Sequence, residues 1–166
     1  MAGLERILTL VVAAVLTSAH VQPAPAQRGP IIDVPSDDAE MNAAIAKARA
    51  TLPKFWSSFR KPGNGEERFT LKVHFRVDRP GDDRDEHIWV DSIEPLATGR
   101  LAGRLANDPH DIDGKFGDRV EFGSEQISDW MFMRDGKIVG GETIRVLLPR
   151  MPKAQADDLR KQLENP

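Results

Sequence analysis

The chain contains no cysteine. That excludes disulfides, thiolate metal ligands and a lipid-modified cysteine, so the fold must be held by its core alone. Neither sign of charge is in excess: 23 Lys and Arg face 26 Asp and Glu, a net charge of −3. No global basicity draws the protein to nucleic acid or to anionic lipid. No G-x-S-x-G elbow, no glycine-rich phosphate loop and no two-histidine protease helix occurs, and each absence removes a class of chemistry. No cofactor and no metal is expected. There is no internal repeat and no low-complexity tract. What remains is an ordinary globular composition, 40% hydrophobic and 30% charged over 166 residues. That suits one domain burying about two-thirds of its unfolded surface.

The N-terminus carries the clearest functional signal. "MAGLER" precedes "ILTLVVAAVLTSA", an apolar stretch of 13 residues. A helix of that length cannot cross a bilayer core of ~30 Å, but it matches the apolar segment of a signal peptide. Small residues offer cleavage after Ala26 in "APA" or after Ala19 in "TSA". Residues 1–26 are thus expected to be a signal peptide of an exported protein, periplasmic or secreted, with no membrane span after cleavage. Their removal deletes Glu5 and Arg6, which cancel, and leaves the charge at −3. "HVQPAPAQRGPIIDVP" (20–35) reads as a flexible leader, of which 27–36 would remain as a linker.

A helix is predicted next. Asp37 with Glu40 resembles a capping box, and Met41, Ala44, Ile45, Ala48 and Leu52 form one apolar stripe. Pro53 should end or kink that helix and open a short turn in which Phe55, Trp56 and Phe59 pack. "RFTLKVHFRV" alternates Phe69, Leu71, Val73, Phe75 and Val77 with polar residues, a long strand with one buried face. The acidic loop "DRPGDDRDE" leads to a second strand, "HIWVDSI". "RLAGRLAN" and "DRVEF" give a third and fourth, separated by the loop "DPHDIDGKFG". In "ISDWMFMRDGKIVGGETIRVL", Asp135-Gly136 is a two-residue hairpin signal. It pairs Arg134 with Lys137, Phe132 with Val139 and Trp130 with Gly141, so the glycines leave room for the indole. "PKAQADDLRKQLE" predicts a C-terminal helix whose weak stripe of Ala156, Leu159 and Leu163 suggests an appendage, residues 149–166. The expected fold is α+β: an N-terminal helix packed on a twisted antiparallel sheet or partial barrel of five or six strands.

The residue types that could carry chemistry cluster in four places. Arg68, Lys72, His74 and Arg76 share the polar side of one strand, an anion-binding stripe or a solvated sheet face. "DEHIWVD" brings Glu86, His87, Trp89 and Asp91 together; His87, Trp89 and Asp91 lie on one strand face, where Trp89 and His87 could form a binding platform. "NDPHDIDG" holds Asp108, His110, Asp111 and Asp113, but with Gly114 placed sixth the calcium-loop pattern has no glutamate at its twelfth position. Asp129 beside Trp130 reads either as an acid with a raised pKa or as an acceptor for backbone amides in the turn "SEQISD".

Several of these segments together resemble a known family. "EHIWV" (Glu86–Val90), "GRLANDP" (Gly103–Pro109), "GDRV" (Gly117–Val120), "ISDWM" (Ile127–Met131) and "DGKIVGGET", with the preceding helix, are similar to the bacterial domain of unknown function 2314, the YegJ-like proteins. The resemblance covers roughly Asp37 to Leu148, giving a domain over 37–148. It implies a small α+β domain, often exported or joined to other modules, and it supplies no activity to carry onto any residue. Because no complete catalytic constellation is present, the expectation is a non-enzymatic interaction module whose partner is an envelope protein or polymer. Candidate binding residues are His87, Trp89, Asn107, Asp129 and Trp130. Two alternatives stand beside it: a hydrolase with a cleft around Glu86, His87 and Asp129, and a binder of anionic ligands through the basic strand face.

Overall fold

The computed structural model describes residues 34–35, 37–77 and 85–165. The expected signal peptide, most of the linker and residues 78–84 of the acidic loop lie outside the described residues. The first helix, α1 (Ala39–Arg60), is capped by Asp38, whose Oδ1 accepts the Met41 amide at 2.8 Å. The cap is therefore one residue later than the Asp37 box expected. Ala44 and Ala48 are buried as the stripe predicts, with Met41, Ile45 and Leu52 half-buried.

Pro53 does not end the helix, which continues for two further turns. A proline in a helix interior costs about 3 kcal/mol. The aromatic residues beyond it offset that cost. Phe55 is wholly buried and sits 5.0 to 5.9 Å from the rings of Trp56, Phe59, Phe69 and Trp130. Burying one such side chain contributes about 1.5–3 kcal/mol.

Six antiparallel strands follow: β1 (Glu66–Arg76), β2 (Asp85–Pro95), β3 (Leu101–Leu105), β4 (Arg119–Phe122), β5 (Ile127–Arg134) and β6 (Lys137–Gly140). Their order is β4-β3-β2-β1-β5-β6, an open sheet with β4 and β6 as its edges rather than a partial barrel. One face packs under α1, with Leu71, Val73, Ile88, Val90, Leu105, Phe122, Ile127 and Phe132 all buried. The alternation in β1 is interrupted: Leu71, Val73 and Val77 are buried, while Phe69 and Phe75 are only half so. A bulge against β5 between Glu67 and Thr70 shifts the phase at the start of the strand.

The β5–β6 hairpin forms as predicted, with Arg134 opposite Lys137 and Phe132 opposite Val139. Asp135 and Gly136 both have positive φ, 49° and 75°, as this tight turn demands. The pairing ends at Met131 and Gly140, and the Gly141 amide then donates to the Trp130 carbonyl at 2.9 Å. Gly140 is the residue that clears the indole. A Cβ there would meet the Trp130 carbonyl oxygen and lie 2.7 Å from the ring.

Gly141 starts α2 (Glu142–Leu147), and a single 3₁₀ turn leads on to α3 (Lys153–Gln162). This last helix is seated rather than appended. Ala156 and Leu163 are buried in a second cluster with Ile138 and Leu148, packed against Met131 and Met133 on the sheet face opposite α1. The Glu164 amide donates to the Ile138 carbonyl at 2.8 Å. Its weak stripe hid this because the apolar surface it covers comes from other segments, Met131, Met133 and Ile138 of the sheet and Ile144, Leu148 and Met151 before the helix. No helix among the described residues is long and apolar enough to cross a membrane.

Candidate functional site

Asp129 and Trp130 are neighbours in sequence but face opposite sides of β5. Trp130 is in the core under α1, where its Nε1 donates to the Ala48 carbonyl at 2.9 Å. Asp129 is 0% exposed. Its carboxylate accepts the Trp130 amide at 2.8 Å, and the Thr143 amide and hydroxyl at 2.7 Å each. A weaker bond comes from the Glu142 amide at 3.3 Å. The amides it serves are thus mainly those at the start of α2, not those of the "SEQISD" turn. Lys72 Nζ donates to the same Thr143 hydroxyl at 3.2 Å. Burial pushes Asp129 up from the ordinary carboxylate range, against these donors and Lys72, and pushes Lys72 down against the pull of Asp129. Sealed in this way, Asp129 anchors α2 and has no face open to a substrate.

Glu86 is similarly engaged. Its carboxylate gathers the amides of His110, Asp111 and Ile112 at 2.6, 2.8 and 3.0 Å, which fixes the β3–β4 loop. Within that loop, Asp108 accepts the Phe116 amide and Asp118 that of Lys115. Among the described residues no group of three or more His, Asp or Glu side chains is placed to hold a metal ion.

His87 lies opposite His74 across β1 and β2, ring centroids 5.8 Å apart, and its Nδ1 meets the Ser128 hydroxyl at 2.9 Å. Partial desolvation, then the charge of Lys72, lowers its pKa to about 4. The residue as a whole is nevertheless exposed, and water on its open edge moderates that shift. Glu86, His87 and Asp129 do not converge on one opening. Nor does the basic strand face form a stripe. Lys72 is enclosed by Thr143 and by Trp89, whose ring centroid is 5.6 Å from Nζ, and His74 pairs with Asp85 at 3.2 Å.

The opening in the sheet lies elsewhere. Pairing between β1 and β2 runs from Arg76–Asp85 to Leu71–Val90 and stops, although each strand continues for five residues. At that point both strands bulge, β1 against β5 and β2 against β3. Arg68 and Ser92 take left-handed backbone conformations, φ 54° and 50°, which non-glycine residues rarely adopt. A cleft of about 700 Å³ opens between the parted strands. Its walls include Phe59, Phe69, Trp89 and Phe116, with polar groups from Arg68, Asp91 and Asn107. Phe116 is 55% exposed, the one large apolar side chain so open among the described residues. The Arg68 guanidinium makes no hydrogen bond or ion pair among the described residues. Asn107 holds its place by accepting the Trp89 amide at 3.1 Å.

Of the five candidate residues, Trp89 and Asn107 meet in this cleft, His87 stands further along β2, and Asp129 and Trp130 are buried. Phe116, Phe59 and Ser92 were not anticipated. An aromatic in the turn-rich loop "DGKFG" is the signal that could have found Phe116, since nothing local buries it.

A family model described as "Uncharacterized protein conserved in bacteria (DUF2314)" matches residues 38–164. The uncharacterized protein YegJ of Escherichia coli is 34% identical over 128 residues, covering 76% of this chain and 79% of that protein. A putative ankyrin repeat protein of Neisseria meningitidis serogroup B is 29% identical over 123 residues, 71% of this chain and 48% of that protein. The chain therefore spans about half the length of that second relative. No solved structure matches the chain.

Proposed function

The chain belongs to the bacterial family of domain of unknown function 2314, and from that premise we propose that it is a non-enzymatic binding module of the cell envelope whose ligand site is the cleft between β1 and β2. One observation carries this reading. The aromatic-walled opening coincides with Arg68 and Ser92, two of the three described non-glycine residues with left-handed backbone, the third being Asp135 of the β5–β6 turn. Such strain costs about 1–3 kcal/mol per residue and is retained chiefly where function uses it. The acids that would serve a hydrolase support the same reading, because Glu86 and Asp129 are each occupied by backbone amides. An apolar cleft with a few convergent polar groups is the usual form of a small binding site.

Export is part of the proposal and rests on the N-terminal sequence. It predicts that the protein recovered from an envelope or culture fraction begins at Gln27 or His20. A protein that stays in the cytoplasm with Met1 intact would contradict it. For the site, soluble envelope fragments, peptide and saccharide, should change the fluorescence of Trp89, with Trp89→Phe silent and otherwise folded. Turnover of an envelope polymer that is lost on changing one acid would overturn the non-enzymatic reading.

A further inference from the structure

Arg68, Phe69, Ser92 and Ile93 are strand residues that appear in no pairing register: the β1–β5 and β2–β3 ladders skip them, and the β1–β2 ladder stops short of them. All four line the cleft. Backbone amides and carbonyls left outside every ladder need other partners. The Arg68 carbonyl takes one from the Thr70 hydroxyl at 3.2 Å, and the Phe69 and Ser92 positions are open to water or to a ligand. The ligand that supplies donors and acceptors in strand register is another strand.

We infer that the cleft receives an extended peptide, which completes the sheet between the parted halves of β1 and β2, seats apolar side chains against Phe69 and Phe116, and sets a carboxylate at Arg68. This rests on the cleft being the ligand site. The dimensions agree. Strand spacing of ~4.8 Å, sheet thickness of ~10 Å and a rise of ~3.3 Å give about 160 Å³ per extended residue. The cleft of about 700 Å³ thus holds about four residues, close to the five by which each strand outruns its partner. The charges also agree. Among the described residues Arg68 is the one cation lining the cleft, and its guanidinium makes no hydrogen bond or ion pair. The carboxylate of Asp91, the one acid lining it, keeps its charge and accepts only the Ser92 hydroxyl at 3.0 Å, so a ligand carboxylate belongs at Arg68. Addition of a strand to an exposed backbone edge takes its affinity from main-chain hydrogen bonds and its specificity from alternate side chains.

The test uses the processed full chain, labelled with ¹⁵N. The probes are acetylated five-residue peptides of alternating Leu and Val ending in a free carboxylate, their C-terminal amides, copies N-methylated at alternate amides, and chitotetraose. Expected results are shifts of the Phe69 and Ser92 amides and of the Trp89 indole with the free-acid peptides. Affinity should fall tenfold or more on N-methylation. Arg68→Gln should cost free-acid peptides several-fold and leave the amides unchanged. Arg68→Gly, which relieves the strained φ, should behave in the same way and so separates charge from misfolding. Equal binding of N-methylated copies, or binding of chitotetraose alone, would overturn the peptide inference and leave the cleft as a site. No binding by any probe, with Trp89 silent, would overturn both.

Discussion

Replacing Asp129 by Asn tests whether the buried acid anchors the fold or serves chemistry. The change preserves shape and replaces one acceptor oxygen by an NH₂ donor. Both oxygens are engaged: one accepts from Trp130 and Glu142, the other takes two bonds of 2.7 Å from Thr143. Whichever way the amide turns, its NH₂ confronts N–H and O–H donors now aimed at the carboxylate. Two charge-assisted bonds contribute about 1.5–3 kcal/mol each, and part of that is returned because an uncharged amide is easier to bury. Lys72, itself enclosed, also loses its counter-charge. The expected net loss is about 3 kcal/mol. That lowers the melting temperature by about 10 °C in a domain of this size. Urea unfolding followed by tryptophan fluorescence reads it directly, and Lys72→Met in the same background should show coupling of about 1 kcal/mol. A loss under 1 kcal/mol, or a more stable variant, would refute the anchoring role, since acids kept for catalysis often destabilise the fold.

Three further outcomes are expected. Arg68→Gly and Ser92→Gly should each stabilise the protein by about 0.5–1 kcal/mol in thermal melts, because left-handed backbone costs glycine little, and a loss at either position would mean the strain is absent. Gly140→Ala should cost about 3 kcal/mol, combining a φ of 87° with collision against the Trp130 carbonyl and ring; an unchanged urea midpoint would remove the explanation given for the glycine. His87 has a folded pKa of about 4 against an unfolded value of about 6.5. The unfolded chain therefore binds the proton first, and stability is full above pH 6.5 and falls as pH drops toward 4. With its open edge discounted, the difference should be about 1 kcal/mol, absent in His87→Gln; identical pH profiles of the two proteins would contradict it.

What could be read from the sequence was what repeats locally. The alternation around Leu71 and Val73 and the Asp135-Gly136 turn each fix a register within a few residues, and both strands formed where expected. Pro53 misleads because the packing that carries the helix past it, on Phe69 and Trp130, comes from far along the chain. The bulges at Arg68 and Ser92 are mismatches in count between neighbouring strands, and one strand read alone cannot reveal them. The same limit explains the site. Trp89 and Asn107 could be named from their own segments, whereas the cleft exists only because β1 and β2 part. Asp129 was ambiguous until α2, beginning 13 residues later, supplied the amides it holds.

Amide hydrogen exchange on the free protein tests that parting most directly. The Phe69 and Ser92 amides are expected to exchange at least a hundredfold faster than those of Leu71, Val73, Ile88 and Val90. Uniform protection along both strands would mean a closed ladder, and the cleft and everything assigned to it would be withdrawn.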